Sequence, residues 1–176
     1  MSFGRRTLLA TLLAMPAGAR AQNRLEIPAK WYAVKVEDNA FSVEMPGIPD
    51  HRVVNDVSAR GTPFALHSYS LEAGGNSYVA QTALYPTDVD TTQPQRILQA
   101  AIDGRTQQLA GRKWTSVNWR VIDGGATVES VGATQAGATL RQIVLLKERR
   151  FVSLAFLGAS VTGAEAERFF KSLKLK

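Results

Sequence analysis

The residues able to carry chemistry are few and scattered. No cysteine occurs in the chain. That removes a thiol nucleophile, a thiolate metal site and a disulfide framework. The two histidines, His51 and His67, would have to converge with further ligands to hold a metal. Asp50 beside His51 does not help, because neighbours in a strand point to opposite faces. Both histidines are therefore expected at the surface or half-buried. No Gly-x-Ser-x-Gly elbow is present, and Ser42, Ser58, Ser68 and Ser70 fall in strands or at strand ends without a positioned base. Asp88 and Asp90 precede a helix, where two acids suit the helix dipole; the glycine and distant glutamate of a calcium loop are missing. Gly74-Gly75 and Gly124-Gly125 lack the following Lys-Ser/Thr and helix of a phosphate loop, so they read as hairpin turns. No catalytic residue, metal or cofactor is expected.

What remains is recognition through area, where aromatic and arginine residues anchor a dry centre. Arg149 and Arg150 at a predicted hairpin tip, with Trp114 and Trp119, are the candidate interaction residues. Trp114 and Trp119 lie five positions apart, so a regular strand sends them to opposite faces and at most one joins a patch.

The net charge of +6 comes from 21 basic and 15 acidic residues in a chain of 176. Arg5, Arg6 and Arg20 fall in the first 21 positions, which hold no acid; without them 18 basic residues face 15 acidic, a net of +3. The remainder is scattered and shows no basic stripe with stacking aromatics, so nucleic acid is not an expected partner. Residues 1–21 carry a basic head at Arg5-Arg6, an apolar stretch from Thr7 to Met15, helix-breaking Pro16 and Gly18, and the small-x-small Ala19-Arg20-Ala21. This is the layout of a signal peptide of twin-arginine type, cleaved between Ala21 and Gln22. The apolar stretch is far short of the ~20 residues of a membrane span. The expected mature protein is a monomer of residues 22–176, without a transmembrane segment, in the periplasm or outside the cell.

Periodicity supplies the elements that position these residues. Strands are expected at 31–37, 41–45, 51–59, 62–71 and 77–85. Strict alternation marks 41–45 as half-buried. A helix follows from Thr92, with Gln95 completing a capping box and Pro94 in the first turn; its apolar stripe is Ile97, Leu98, Ala101, Ile102 and Leu109. Four more strands cover 113–122, 126–134, 138–147 and 150–157. The last two are apolar on both faces, hence central and covered on both sides. A second helix opens at Thr162 and Glu165 and buries Ala166, Phe169, Phe170 and Leu173. The pattern predicts one α+β domain, an antiparallel sheet with a helix on each face.

The landmarks Trp31, Phe41-Ser42-Val43-Glu44-Met45-Pro46-Gly47-Ile48-Pro49, the Tyr78 strand leading to Tyr85-Pro86, and Glu167-Arg168-Phe169-Phe170-Lys171-Ser172-Leu173-Lys174-Leu175 form a set. On these the chain resembles small bacterial exported proteins of uncharacterised function with a PsbP-like fold. That fold is shared by the PsbP protein of photosystem II and the Ran-binding import factor Mog. The resemblance implies an α/β/α sandwich and an accessory or binding role. The expected function is a non-enzymatic exported module that docks on a protein partner or binds a small apolar ligand. The alternatives are an envelope-associated enzyme and a structural envelope protein.

Overall fold

The computed structural model describes residues 30–176; the expected signal peptide and its cleavage boundary lie outside them. Alternation dictates the first elements. β1 (Tyr32–Lys35) and β2 (Phe41–Met45) pair antiparallel, and Phe41, Val43 and Met45 are buried while Ser42 and Glu44 between them stay half-buried. Near the C-terminus the two-residue β10 (Lys174–Leu175) joins the other side of β2. These three strands form a small sheet of their own.

The main sheet has seven strands. They are β3 (Asp50–Val57), β4 (Pro63–Ala73), β5 (Asn76–Leu84), β6 (Ser116–Ile122), β7 (Gly125–Ala133), β8 (Thr139–Lys147) and β9 (Arg150–Gly158). Their spatial order is β3-β4-β5-β9-β8-β7-β6, every pair antiparallel. Two-residue loops at Gly74-Gly75 and Asp123-Gly124 take positive φ throughout, the backbone that a tight hairpin requires and glycine supplies without strain. The hairpin β8–β9 is central, with Lys147 opposite Arg150 at its tip. Its two-faced apolar pattern is explained by cover on both sides: Val144, Leu146, Leu154 and Phe156 are all buried.

One face of this sheet packs on α1 (Pro94–Thr106), through Leu98, Ala101 and Ile102 against Leu66, Ala83, Val128, Val144 and Phe151. The other face packs on the small sheet together with α2 (Ala164–Lys171), through Val34, Phe41, Val43, Met45, Ala166, Phe169 and Phe170 against Tyr78, Ile143, Leu154 and Phe156. The expected α/β/α sandwich is therefore overturned. Strands hold about half of the chain and helices under a fifth, in two antiparallel sheets. The physical reason is visible in β2. A strand buried on alternate positions serves as a separate covering layer, and an eight-residue helix is too short to cover seven strands alone. β10 escaped periodicity because two residues carry none.

Both capping boxes also fail. The residues that open the helices are Gln93 and Gly163, and neither helix start has a side-chain cap. Asp90 instead accepts from the Thr92 amide at 2.9 Å and its hydroxyl at 2.6 Å. Glu165 turns toward the sheet, accepting from Asn76 at 2.8 Å and the Tyr78 hydroxyl at 3.1 Å. Burial and the Glu165 charge together push the Tyr78 phenol well above its ordinary pKa.

Candidate functional site

The four residues singled out for recognition do not share a surface. Arg149 is tied down locally: its guanidinium donates to the Tyr85 carbonyl at 3.0 Å. Arg150 reaches Asp38 at 3.5 Å, so it links the hairpin tip to the small sheet. Trp114 precedes β6, packs among Leu109, Leu140 and Ala155, and donates from its indole to the Thr106 hydroxyl at 3.2 Å. Gly132 makes that packing possible, since a Cβ there would meet Leu109 at 3.0 Å and Trp114 at 3.2 Å. Three of the four are thus structural. Trp119 alone is free, 44% exposed on β6.

Trp119 sits on the last strand of the sheet, which among the described residues has a strand neighbour only on the β7 side. The register runs Trp119, Val128, Val144, Ser153, Gln81, Ser68, Arg52 across all seven strands, so these residues share the α1 face. Val117 and Val121 flank Trp119 on that face, and Val121 is 72% exposed. Between Trp119 and Gln95, Arg96, Gln99, Ala100 and Asp103 of α1 lies an open groove of about 670 Å³. The opposite edge differs. On the same face β3 presents Asp50, Arg52 and Asp56, charges of the kind that discourage strand pairing. β6 presents an unguarded apolar stripe beside a free backbone edge.

Under α1 the same face holds a second arrangement that sequence reasoning missed. Arg105 is 5% exposed, and no carboxylate pairs with it among the described residues. Burial lowers its pKa to about 10, still high enough to stay charged at neutral pH. Its Nη2 reaches only the Gln81 side-chain oxygen, at 3.5 Å. Beneath it a polar belt crosses five strands: Ser68 on β4, Gln81 on β5, Ser153 on β9, Gln142 on β8 and Ser130 on β7, all buried. The belt divides the Leu98 cluster from the Leu109 cluster. Gln81 donates to Ser68 at 3.3 Å. Among the described residues, both polar atoms of Gln142 and the Ser130 hydroxyl have no hydrogen-bond partner. The signal for Arg105 was present: Ala101, Ile102, Arg105 and Leu109 keep helical spacing, so the arginine falls on the buried stripe.

The remaining candidates resolve locally. Asp88 accepts from the Ser58 hydroxyl, which lowers its pKa, and Asp90 serves Thr92. His51 is exposed and His67 half-buried, as expected, and the two come together: Nε2 of His51 lies 3.2 Å from Nδ1 of His67. They sit diagonally on neighbouring strands, His51 opposite Tyr69 and His67 opposite Val53, a pairing that needs the β3–β4 register. Within the described residues no group of three or more His, Cys, Asp or Glu could hold a metal. No described helix is long and apolar enough to cross a membrane.

No protein-family model matches the chain, and no curated protein matches it. Among solved structures, it is similar to a protein of unknown function from Pseudomonas aeruginosa, at 13% identity and a TM-score of 0.42, over 80% of this chain and 91% of that one.

Proposed function

We propose that the protein is an exported docking module that captures an extended segment of a partner protein as an added strand on β6. The observation that carries this reading is the unguarded edge: Val117, Trp119 and Val121 alternate along a strand whose outer backbone groups have no partner strand among the described residues. Strand addition draws affinity from main-chain hydrogen bonds and specificity from alternate side-chain pockets. The groove between Trp119 and α1 supplies such a pocket. Arg96 and Asp103 both line it, and Arg112 and Lys113 lead into β6 while Asp123 follows it. The matching segment is apolar at alternate positions with an acidic flank. Export rests on the layout of residues 1–21, and sequencing of the secreted chain should find Gln22 first.

The test is site-specific photo-crosslinking in the exported fraction. A crosslinker at Val121 should capture one partner, and one at Val53 on the opposite edge should not. Reconstituted with purified components, the complex should weaken at least tenfold on combined Val117→Lys and Val121→Lys substitution, with folding unchanged by circular dichroism. Equal capture from both edges would overturn the reading. So would a wild-type dimer that the double substitution converts to monomer, because the occupant of β6 would then be a second copy of the chain.

A further inference from the structure

The two histidines form a unit that the docking edge does not use. They lie at the far side of the sheet, on β3 and β4, on the face away from α1. The imidazole planes are within 13° of parallel and the ring centroids are 5.4 Å apart. With 3.2 Å between Nε2 of His51 and Nδ1 of His67, the rings meet nitrogen to nitrogen with a single proton between them. The pair is held in place. The His51 ring lies flat on Tyr69, centroids 4.4 Å apart and planes within 5°. Tyr69 is itself buried, and its phenol oxygen accepts from the Glu37 amide at 2.9 Å. His67 is half-buried and His51 exposed, so the shared edge of the pair is open to water.

A tetrahedral metal with nitrogen bonds of about 2.0 Å spans about 3.3 Å between two of its ligand atoms. The observed separation already matches that span. We propose that His51 and His67 form a two-histidine site for a divalent transition cation of the zinc, nickel or copper type. The metal takes the place of the shared proton. In the neutral pair the donating ring gives that proton to water and takes one back on its outer nitrogen, so His51 Nδ1 and His67 Nε2 each carry one, both facing nitrogens offer lone pairs, and no net proton is released. Each ring must turn its lone pair by about 35° from the other nitrogen toward a common point outside the sheet, the base angle of a triangle with a tetrahedral apex. Imidazole suits these metals, whereas calcium and magnesium ask for oxygen. Two protein ligands leave the other positions to water, so the site is open and exchangeable rather than structural. Sequence reading did not pair the histidines, because only the β3–β4 register brings them together.

The experiment is calorimetric titration of the full chain with zinc alone, with magnesium as control. Zinc should bind one to one at micromolar concentration, and magnesium should give no heat. His51→Ala and His67→Ala should each weaken zinc binding at least tenfold. Tyr69→Leu, which removes the stacking support but neither ligand, should weaken it by a smaller factor. Copper added to the wild type should show nitrogen hyperfine splitting from two imidazoles, lost in either histidine variant. Absence of zinc binding below millimolar concentration would overturn the proposal. So would zinc binding that both histidine variants retain, since the metal would then sit elsewhere.

Discussion

Two arginines lie on opposite faces of the main sheet, Arg105 buried and Arg141 half-buried, and the fold treats them differently. Arg141 projects from β8 toward α2. Its Nε donates to Glu129 at 2.7 Å and its Nη1 to Glu167 at 2.6 Å and the Val161 carbonyl at 3.2 Å; its guanidinium lies 4.4 Å over the Phe170 ring. The carboxylates are shared outward, Glu129 with Arg120 and Glu167 with Lys171. The result is a charge network that pins α2 and shelters the apolar centre around Tyr78, Phe156 and Phe169. Arg105 projects from α1 onto Gln81 and meets no acid among the described residues. One face is closed by apolar packing and satisfied charge. The other is crossed by a polar belt with orphaned atoms at Gln142 and Ser130. A buried charge costs stability unless paired, so the two faces should respond to substitution with opposite signs.

The largest effect belongs to the satisfied face. Phe156 is fully buried and makes edge contact with Tyr78 at 5.1 Å. Phe156→Ala should cost about 3–5 kcal/mol, the cost of a large cavity in a packed core. A loss under about 1 kcal/mol in urea melts would mean that this face is not the stable half.

The arginines themselves sharpen the comparison. Arg141→Met should cost about 2–3 kcal/mol, less than breaking a fully buried pair. Glu167 keeps a third of its side chain in water and retains Lys171, and Glu129 retains Arg120. Arg105→Met should do the reverse and gain about 1–2 kcal/mol, because an apolar side chain of similar length replaces an unpaired charge. Urea midpoints of both variants, with the slope unchanged, decide the matter. Losses of equal size would show that Arg105 is paid for by contacts of its own.

Much of this architecture could be read from residue patterns. The alternation of Phe41–Met45 and the two-faced runs of β8 and β9 report burial directly, and these strands fall where expected. The turns at Gly74-Gly75 and Asp123-Gly124 are local backbone chemistry, legible without the rest of the chain. The second sheet was not legible, since alternation says that a strand is half-covered but not which layer it joins. Hairpin register hid the histidine pair: only the pairing of Asp50–Val57 with Pro63–Ser70 brings His51 to His67. Arg105 was legible by spacing but was passed over because a charged residue is rarely fully buried. Trp114 and Trp119 were expected to part, with at most one in a surface patch; Trp114 packs before β6 and Trp119 is the exposed one.

The smallest expected effect gives the unsatisfied face what it lacks. Gln81→Glu keeps the side-chain shape and places a carboxylate where Arg105 already reaches, 3.5 Å from the present amide oxygen. The Ser68 hydroxyl, which now accepts from Gln81, can rotate to donate instead. The added charge is costly to bury, and pairing offsets most of that cost, so the net gain at neutral pH should be about 1 kcal/mol. Its sign with pH follows from linkage. The arginine lowers the introduced carboxyl's pKa in the folded state below its unfolded value of about 4.3. The gain is therefore present above about pH 4.3 and is lost as pH falls through the lowered folded value. Arg105→Met combined with Gln81→Glu should reverse the behaviour, leaving a lone buried carboxyl whose raised pKa makes the fold less stable as pH rises. Thermal melts of the wild type and both variants between about pH 2 and pH 8 read the difference. A gain from Gln81→Glu that persists unchanged at about pH 2, or that survives Arg105→Met, would show that Arg105 is not the group the carboxylate meets.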